Sequence, residues 1–391
     1  MKKKYIIFSL VTLVLLVALI TSFNYFKTTD TYIDDSVNNQ TKITKGISMN
    51  LEQTAGAGDY KTVTQSGWPT EGYVFNEELS KCENGSTLSW DDTKKAVIMQ
   101  GNVSDKCYVY FDIWIPPSIV DYCSSGTDLA TCVKNFGNQG PDISNIYIHN
   151  SSLANGAGDN SYRYAGASDS VNNFVCLGSD VATCPDANLF RIIGVFGDQT
   201  KVIRAKSVGD QKWDTNISST WSTSSLNTYL NGTYLTSLGT LADKIATTTW
   251  KVGGGTEANI QNAVPSTAYQ YEVGSSASTT TVDKKIGLMY VTDYYYSASP
   301  SAWTLVGFNE SDATKDYRAA KTTNWLFLGS AEWTISRISD YSYSAVSVSS
   351  IGCVSAASVT NSYGVRPSFN LLSSTTYVSG SGSMSDPIRI N

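Results

Sequence analysis

Seven cysteines are the residues of this chain whose type and spacing could do chemistry. Six of them form three pairs that are close in sequence: Cys82 with Cys107, Cys123 with Cys132, and Cys176 with Cys184. The last two pairs close similar loops, CSSGTDLATC and CLGSDVATC. Cysteines spaced in this way could bind zinc, carry out redox chemistry or form disulfide bonds.

The length of the two loops separates these alternatives. Paired zinc ligands usually have about two to four residues between them, whereas these loops hold eight and seven. The chain has a single histidine, His149, so a zinc site with several histidine ligands is excluded. We expect His149 to be a hydrogen-bonded structural residue. We therefore favour three disulfides over a four-cysteine zinc site, and we expect no metal and no cofactor.

Cys353 has no partner close in sequence. A reactive thiol needs a neighbouring base or cation that lowers its pKa, and the only histidine is distant along the chain. We expect Cys353 to be a buried, unreactive thiol, with a nucleophile or an intermolecular bridge as the alternatives.

The first residues predict where the cysteines reside. Three lysines precede residues 5–23, which carry no charge and would form a helix of about 28 Å, close to the thickness of a bilayer core. The lysines predict a cytoplasmic N-terminus, so a signal anchor here would place the rest of the chain outside the cell membrane, where disulfides persist. A cleaved signal peptide is the alternative, although no small-x-small site follows the apolar run.

Composition excludes one class of partner. The formal net charge is −6 and only 16% of the residues are charged. A nucleic-acid-binding protein needs a basic face that displaces counterions from phosphates. We therefore expect that the chain does not bind nucleic acid. The expected partner of residues 5–23 is the lipid bilayer.

Short runs of β-branched and aromatic residues, separated by turn residues, predict an α+β fold. LFRIIGVFGDQTKVIRAK predicts a β-hairpin, and STSSLNTYLNGTYLTSL predicts a helix capped by Ser224 or Ser225. Further strands are predicted at 285–296, 324–329, 332–337 and 364–371. The predicted segments are 1–26, a cytoplasmic tip and transmembrane signal anchor; 27–45, a linker; 46–115, a small β module; 116–188, a disulfide-pinned connector; and 189–391, an α+β domain.

Several of these stretches carry a resemblance to known proteins. The order LFRIIGVF, KIGLMYVTDY, NWLFLGSAEWTISR and GVRPSFNL, with GYVFNEELSKCENGSTLSW before it, resembles a family of uncharacterised envelope proteins of Firmicutes. Their C-terminal domain is similar to the fold shared by formylglycine-generating enzymes and C-type lectins, so the resemblance implies a C-type-lectin-like domain for 189–391. The resemblance does not extend to the chemistry of these proteins. Formylglycine-generating enzymes use a pair of reactive cysteines, whereas residues 189–391 contain only Cys353. The Glu-Pro-Asn or Gln-Pro-Asp triplet of calcium-dependent lectins is also missing.

Aromatic residues of the last domain are candidates for ligand binding. Tyr294, Tyr295 and Tyr296, with Trp213 and Trp221, could form a surface on which sugar rings stack, and burial in the core is the alternative. Arg366 in GVRPSFNL is expected to be a structural arginine, with ligand binding as its alternative.

These features predict a single-pass surface protein whose ectodomain is a non-catalytic binding or adhesion module. Its ligands would be cell-wall or host glycans, or surface proteins. The alternatives are an enzyme on the formylglycine-generating-enzyme scaffold and a pseudopilin-like structural subunit. The pseudopilin alternative is disfavoured because the leader motif of type IV pilins is missing.

Overall fold

The computed structural model describes residues 46–64, 67–69, 71–102 and 104–391. The chain divides between Pro116 and Pro117 into two units. The predicted signal anchor at 5–23 and the predicted linker at 27–45 lie outside the described residues. Within those ranges, no helix has the length and apolar character needed to cross a membrane.

Between residues 46 and 116, the described part of the N-terminal unit forms seven strands. Strand β7 shows why this segment forms a sheet: Cys107, Val109 and Phe111 alternate with more exposed residues, so every second side chain points into the core. The sheet has the order β2-β1-β7-β3, with β4 also pairing with β7, and β5 and β6 form a separate hairpin. This unit corresponds to the small β module predicted for 46–115. The strands are β1 Gly46–Glu52, β2 Tyr60–Val63, β3 Tyr73–Phe75, β4 Lys81–Cys82, β5 Thr87–Asp91, β6 Ala96–Gln100 and β7 Lys106–Ile113.

The C-terminal unit contains an eight-stranded sheet and a five-stranded sheet. The larger has the order β20-β12-β11-β10-β22-β21, and β9 joins it by pairing with β11 and β8. The smaller has the order β13-β19-β16-β17-β18, and β14 and β15 form a hairpin. The strands are β8 Ile146–Ile148, β9 Tyr162–Tyr164, β10 Phe174–Cys176, β11 Leu189–Phe196, β12 Gln199–Arg204, β13 Asp210–Lys212, β14 Thr248–Lys251, β15 Thr281–Lys284, β16 Glu332–Arg337, β17 Ser344–Val348, β18 Val354–Ser358, β19 Ser362–Gly364, β20 Ser368–Asn370, β21 Tyr377–Ser379 and β22 Ile388–Ile390.

Short helices cover these sheets, so the fold is mixed α+β, as predicted. The predicted helix after Ser224 is present: Ser224 accepts a hydrogen bond from the backbone N–H of Asn227, and a π-helical turn, Leu230–Tyr234, continues the helix. The α-helical segments are α1 Leu129–Gly137, α2 Pro141–Ser144, α3 Ser225–Tyr229, α4 Leu235–Ser237, α5 Glu257–Ile260, α6 Pro265–Glu272 and α7 Val291–Tyr296.

The predicted connector at 116–188 is instead part of the C-terminal unit. Its strands β8, β9 and β10 belong to the eight-stranded sheet. Helix α1 contributes Leu129, Val133 and Phe136 to the main core, at the helical spacing of one buried face. The composition of the surrounding loops, rich in Gly, Asn and Ser, gave no signal for the three-residue strands β9 and β10. The boundary predicted between 188 and 189 is therefore wrong.

Two predicted strands are also absent. Residues 291–296 form helix α7, and residues 324–329 form turns. The prediction of a strand followed from the β-propensity of the consecutive tyrosines, but the side chain of Asp293 accepts a hydrogen bond from the backbone N–H of Tyr290 and caps a helix. The hairpin of β11 and β12 and the strand at 332–337 are confirmed.

Candidate binding site

The residues that were predicted to stack on sugars lie inside the C-terminal unit. Tyr294, Tyr295 and Tyr296 are at most 1% exposed. Their hydroxyls donate to the carbonyl oxygens of Gly352, Ile260 and Asn155, at 2.7, 2.8 and 3.3 Å. The hydroxyls are thus satisfied within the protein, so the prediction of a tyrosine surface is wrong and the core alternative holds.

The two candidate tryptophans and Arg366 are buried as well. Trp213 and Trp221 pack against each other with ring centroids 5.1 Å apart, and each is at most 1% exposed. Arg366 donates two hydrogen bonds to the carboxylate of Glu332 and one to the carbonyl oxygen of Leu326. All three residues therefore have structural roles, which for Arg366 is the expected one.

The three predicted disulfides are present, as Cys82–Cys107, Cys123–Cys132 and Cys176–Cys184. Cys353 is a free, buried thiol whose sulfur lies 3.0 Å from the hydroxyl oxygen of Ser349. Among the residues that the structure describes, no group of three or more His, Cys, Asp or Glu side chains is placed to hold a metal ion.

Aromatic and charged side chains do come together elsewhere, in a pocket of the C-terminal unit of about 250 Å³. Its aromatic walls come from the end of β11, from β14, from α6 and from the residue before α7. Its charged groups come from β9 and the loop before it, from β12 and from the first turn of α7. The aromatic residues are Phe196, Trp250, Tyr269 and Tyr290, and the charged residues at its centre are Asp159, Arg163, Lys201 and Asp293. We call this site the aromatic pocket.

The approach of β9 to β11 places Arg163 in the pocket. Arg163 lies opposite Gly194 in the strand register, at a bulge of β11. A Cβ atom on Gly194 would lie 2.3 Å from the carbonyl oxygen of Tyr162, so only glycine permits this contact. The close approach therefore fixes the position of the guanidinium.

The central charges are paired with each other. The Nζ atom of Lys201 lies 2.5 Å from Oδ2 of Asp293, and Nη2 of Arg163 lies 2.7 Å from Oδ2 of Asp159. Nη1 of Arg163 also lies 3.8 Å from Oδ1 of Asp293. Burial lowers the pKa of Lys201, while Asp293 opposes that shift. Burial disfavours ionised Asp159, but Arg163 and hydrogen bonds from Ser161 outweigh it and lower the pKa of Asp159 to about 2.

Aromatic rings surround both cations. The Nζ atom of Lys201 lies 4.5 Å from the ring centroid of Tyr290 and 5.2 Å from that of Trp250. The guanidinium carbon of Arg163 lies 4.6 Å from the centroid of Phe196 and 5.7 Å from that of Tyr269. Such contacts stabilise a cation that has lost its water.

The lining of the pocket also includes polar side chains outside its centre, among them those of Thr248, Lys251 and Asn370. Asn370 donates from Nδ2 to the hydroxyl of Thr248, while its Oδ1 atom is buried and has no hydrogen-bond partner within the described structure. Lys251 donates to the carbonyl oxygens of Val273 and Gly274. The Oδ1 acceptor of Asn370 is thus unused but enclosed by protein, and Lys251 is held by the backbone.

A larger concavity, of about 730 Å³, lies in the N-terminal unit. Tyr73, Phe75, Trp90 and Trp114 contribute to its lining, and Trp114 is 52% exposed. None of its lining residues forms a buried ion pair. This concavity therefore lacks the buried, paired charges that are found in the aromatic pocket.

Sequence reasoning missed the aromatic pocket, although one signal for it was available. Lys201 stands in TKVIR, in a strand that was predicted correctly and that is buried at Thr200, Val202 and Ile203. A lysine within a buried strand needs an acidic partner. Its partner, Asp293, is distant in the sequence, and no local pattern identifies it.

Comparison with known proteins gives one match. Residues 197–373 match a family described as a domain of unknown function, DUF6273. This range includes Lys201, Trp250, Tyr269 and Asp293 but neither Asp159 nor Arg163. No curated protein and no solved structure matches the chain.

Proposed function

We propose that this chain is a membrane-anchored, extracytoplasmic binding protein, and that its C-terminal unit holds one saccharide unit in the aromatic pocket. Aromatic faces pack against the apolar faces of sugar rings, and amide and hydroxyl groups bond to sugar hydroxyls. The pocket offers both: Tyr269 and Phe196 are half-buried in its wall, and Thr248 and Asn370 bring a hydroxyl and an amide to its lining.

The observation that carries the proposal is the pairing of the charges beneath the aromatic walls. Lys201 is bound to Asp293 and Arg163 to Asp159. Because each cation is neutralised by a neighbouring carboxylate, the pocket offers a ligand aromatic faces above paired charges, and this arrangement supports the binding of an uncharged, polar ligand.

The size of the pocket supports a small ligand unit. Sites for drug-sized ligands have volumes of roughly 300–1,000 Å³, and this pocket encloses about 250 Å³. A single sugar residue at the end or on a branch of a glycan therefore suits it better than a segment of a long chain.

The location rests on the sequence and on the disulfides. Residues 5–23 are the proposed anchor, with the lysines before them on the cytoplasmic side. Three disulfides suit an oxidising compartment. A C-type-lectin-like topology for the C-terminal unit is part of this proposal, and it rests on the order of elements that ends in GVRPSFNL.

Replacing Tyr269 by alanine is expected to weaken saccharide binding at least tenfold, because the variant loses an aromatic wall of the pocket. The detergent-solubilised chain would first be applied to an array of cell-wall and host glycans. Calorimetric titration would then compare the wild type and the variant with the best saccharide.

The matched control is Tyr271→Ala. Tyr271 lies two positions away on the same helix, α6, is 38% exposed and does not line the pocket. This variant should bind like the wild type. A flat array, or equal loss of binding in both variants, would contradict the proposal.

A further inference from the structure

We propose that Lys201 and Asp293 become joined by an amide bond between their side chains, a cross-link made within the folded chain without any cofactor. The inference concerns the same pair of residues as the saccharide proposal, but it needs no ligand and does not require that proposal to hold. It rests on the contact between the two groups, on their rigid supports and on their burial.

The two reacting groups touch. Nζ of Lys201 lies 2.5 Å from a carboxylate oxygen of Asp293, and the two side chains are 6% and 2% exposed. Few other partners compete, since the nearest other cation to Asp293 is Arg163, at 3.8 Å from the second oxygen. The amine and the carboxyl group are therefore held in direct contact, which removes most of the entropic cost of bringing them together.

Both supports are rigid. Strand β12, which carries Lys201, is hydrogen-bonded on one side to β11 and on the other to β20. The start of α7 is fixed by Glu272, whose carboxylate accepts hydrogen bonds from the backbone N–H groups of Val291 and Thr292 and from the hydroxyl of Thr292. Asp293 itself accepts from the N–H of Tyr290 at 2.7 Å. Such positioning gives intramolecular reactions a large effective concentration.

Burial favours the reactive protonation state. An ion pair in an apolar site loses the hydration of both charges. Transfer of one proton from the ammonium to the carboxylate gives a neutral amine and a neutral acid with no change in the number of protons. Burial lowers the pKa of Lys201 and thus acts in the direction of this transfer.

The step balances without an external reagent. After proton transfer, the lone pair of Nζ attacks Cγ of Asp293, and a C–N bond forms. The N–H of Tyr290 donates to the oxygen that becomes the amide oxygen. The second oxygen takes up the two protons that the ammonium loses, the C–O bond breaks, and one water molecule leaves. The lysine nitrogen keeps one hydrogen, as in any secondary amide.

The cross-link would have a clear structural effect. It would connect the eight-stranded sheet to helix α7 and close a loop between residues that are 92 positions apart. A covalent bond there would restrict the unfolded chain strongly, since restriction grows with loop length. The floor of the pocket would then be an uncharged amide beneath aromatic rings.

Peptide mapping of the purified full-length chain tests the proposal. After reduction and digestion, we expect a branched peptide containing Lys201 and Asp293 whose mass is lower, by one water molecule, than the sum of its two parts. Tandem mass spectrometry would locate the branch. Mapping at the peptide level is preferred because processing of the N-terminus would also change the intact mass.

Two variants make the result specific. Lys201→Arg keeps a cation in place but has no amine that can form the bond, so the branched peptide should vanish. Lys251→Arg is the matched control, since Lys251 lines the same pocket but binds only carbonyl oxygens, and the branched peptide should remain.

Asp293→Asn distinguishes the chemistry, because its cross-link would release ammonia in place of water. The proposal is overturned if the folded wild-type chain yields Lys201 and Asp293 only in separate linear peptides. Saccharide binding could still be found in that case, and a cross-link could be found with a flat glycan array. The two proposals therefore fail separately.

Discussion

Arg366→Ala is expected to lower the free energy of unfolding of the C-terminal unit by about 3–5 kcal/mol, the cost of breaking a buried ion pair from one side. Arg366 and Glu332 are each 1% exposed, and their closest N–O distance is 2.6 Å. Burial raises the pKa of Glu332, and Arg366 opposes that shift. Without Arg366, Glu332 would either remain as a lone buried charge or bind a proton, and Leu326 would lose its hydrogen-bond donor.

Lys206→Ala supplies the control for this effect. The Lys206–Asp186 pair has the same N–O distance, 2.6 Å, but its side chains are 58% and 65% exposed. Its loss should cost less than about 1 kcal/mol. Urea unfolding followed by tryptophan fluorescence would compare the two variants. Equal costs would show that burial does not set the strength of the Arg366 pair.

A double variant separates the pair from its packing. Replacing Arg366 by methionine and Glu332 by leucine removes both charges together and fills similar space. Most of the stability lost in Arg366→Ala should return, because neither partner is left alone in the core. A double variant as unstable as Arg366→Ala would indicate that the hydrogen bond to Leu326, and not the pair, dominates the loss.

Lowering the pH from 7 to 5 is expected to remove about 2 kcal/mol of stability through His149 alone. His149 packs against Tyr296 and Trp303, and its Nδ1 atom accepts a hydrogen bond from the backbone N–H of Ala157. Burial, assisted by Arg163 and opposed by Asp159, lowers its pKa from 6.5 to about 2. Nε2 has no partner within the described structure, so protonation there would leave a buried charge unpaired.

The sign follows from proton binding. Between pH 6.5 and pH 2 the unfolded chain binds a proton at this histidine and the folded chain does not, so acid favours unfolding. The contribution of His149 is complete above pH 6.5 and decreases as the pH falls below that value. Because the chain has one histidine, no second imidazole adds to the effect.

His149→Asn isolates the contribution, since the amide oxygen can accept the hydrogen bond from Ala157 but does not titrate. Unfolding in urea would be measured for both proteins at pH 5, 6 and 7. Buried carboxyls with raised pKa, Glu272 and Glu332, titrate in both proteins, so they cancel in the difference. Parallel losses of stability in both proteins would contradict the prediction.

The features predicted correctly from the sequence are those that local residues determine. The three disulfides join cysteines that are near in sequence, and the hairpin of β11 and β12 has its turn at Gly197, whose φ is 64°. Ser224 caps the predicted helix through a residue only three positions away. Each of these depends on a short stretch of chain, so periodicity and turn residues were sufficient to predict it.

The features predicted wrongly depend on distant contacts. Tyrosines at 294–296 have β-propensity, but Glu272, some twenty positions earlier, holds the N–H groups that begin helix α7. The aromatic pocket is assembled from residues such as Arg163, Lys201 and Trp250, which stand on three different strands. Sequence reasoning could identify aromatic residues as candidate ligand-binding groups but not which of them face an opening.

The position of β22 has a consequence for how quickly the chain acquires its structure. This strand lies between β10 and β21, and its parallel pairing with β10 joins Val175 to Ile388. Sheets with partners this distant in sequence form slowly. Until β22 arrives, the edge of β10 is open to pairing with other chains. The cysteine loops, whose cysteines are nine and eight positions apart, can close well before then. The second loop begins at Cys176, which lies in β10. Its disulfide can therefore restrain β10 before β22 pairs with the open edge of that strand.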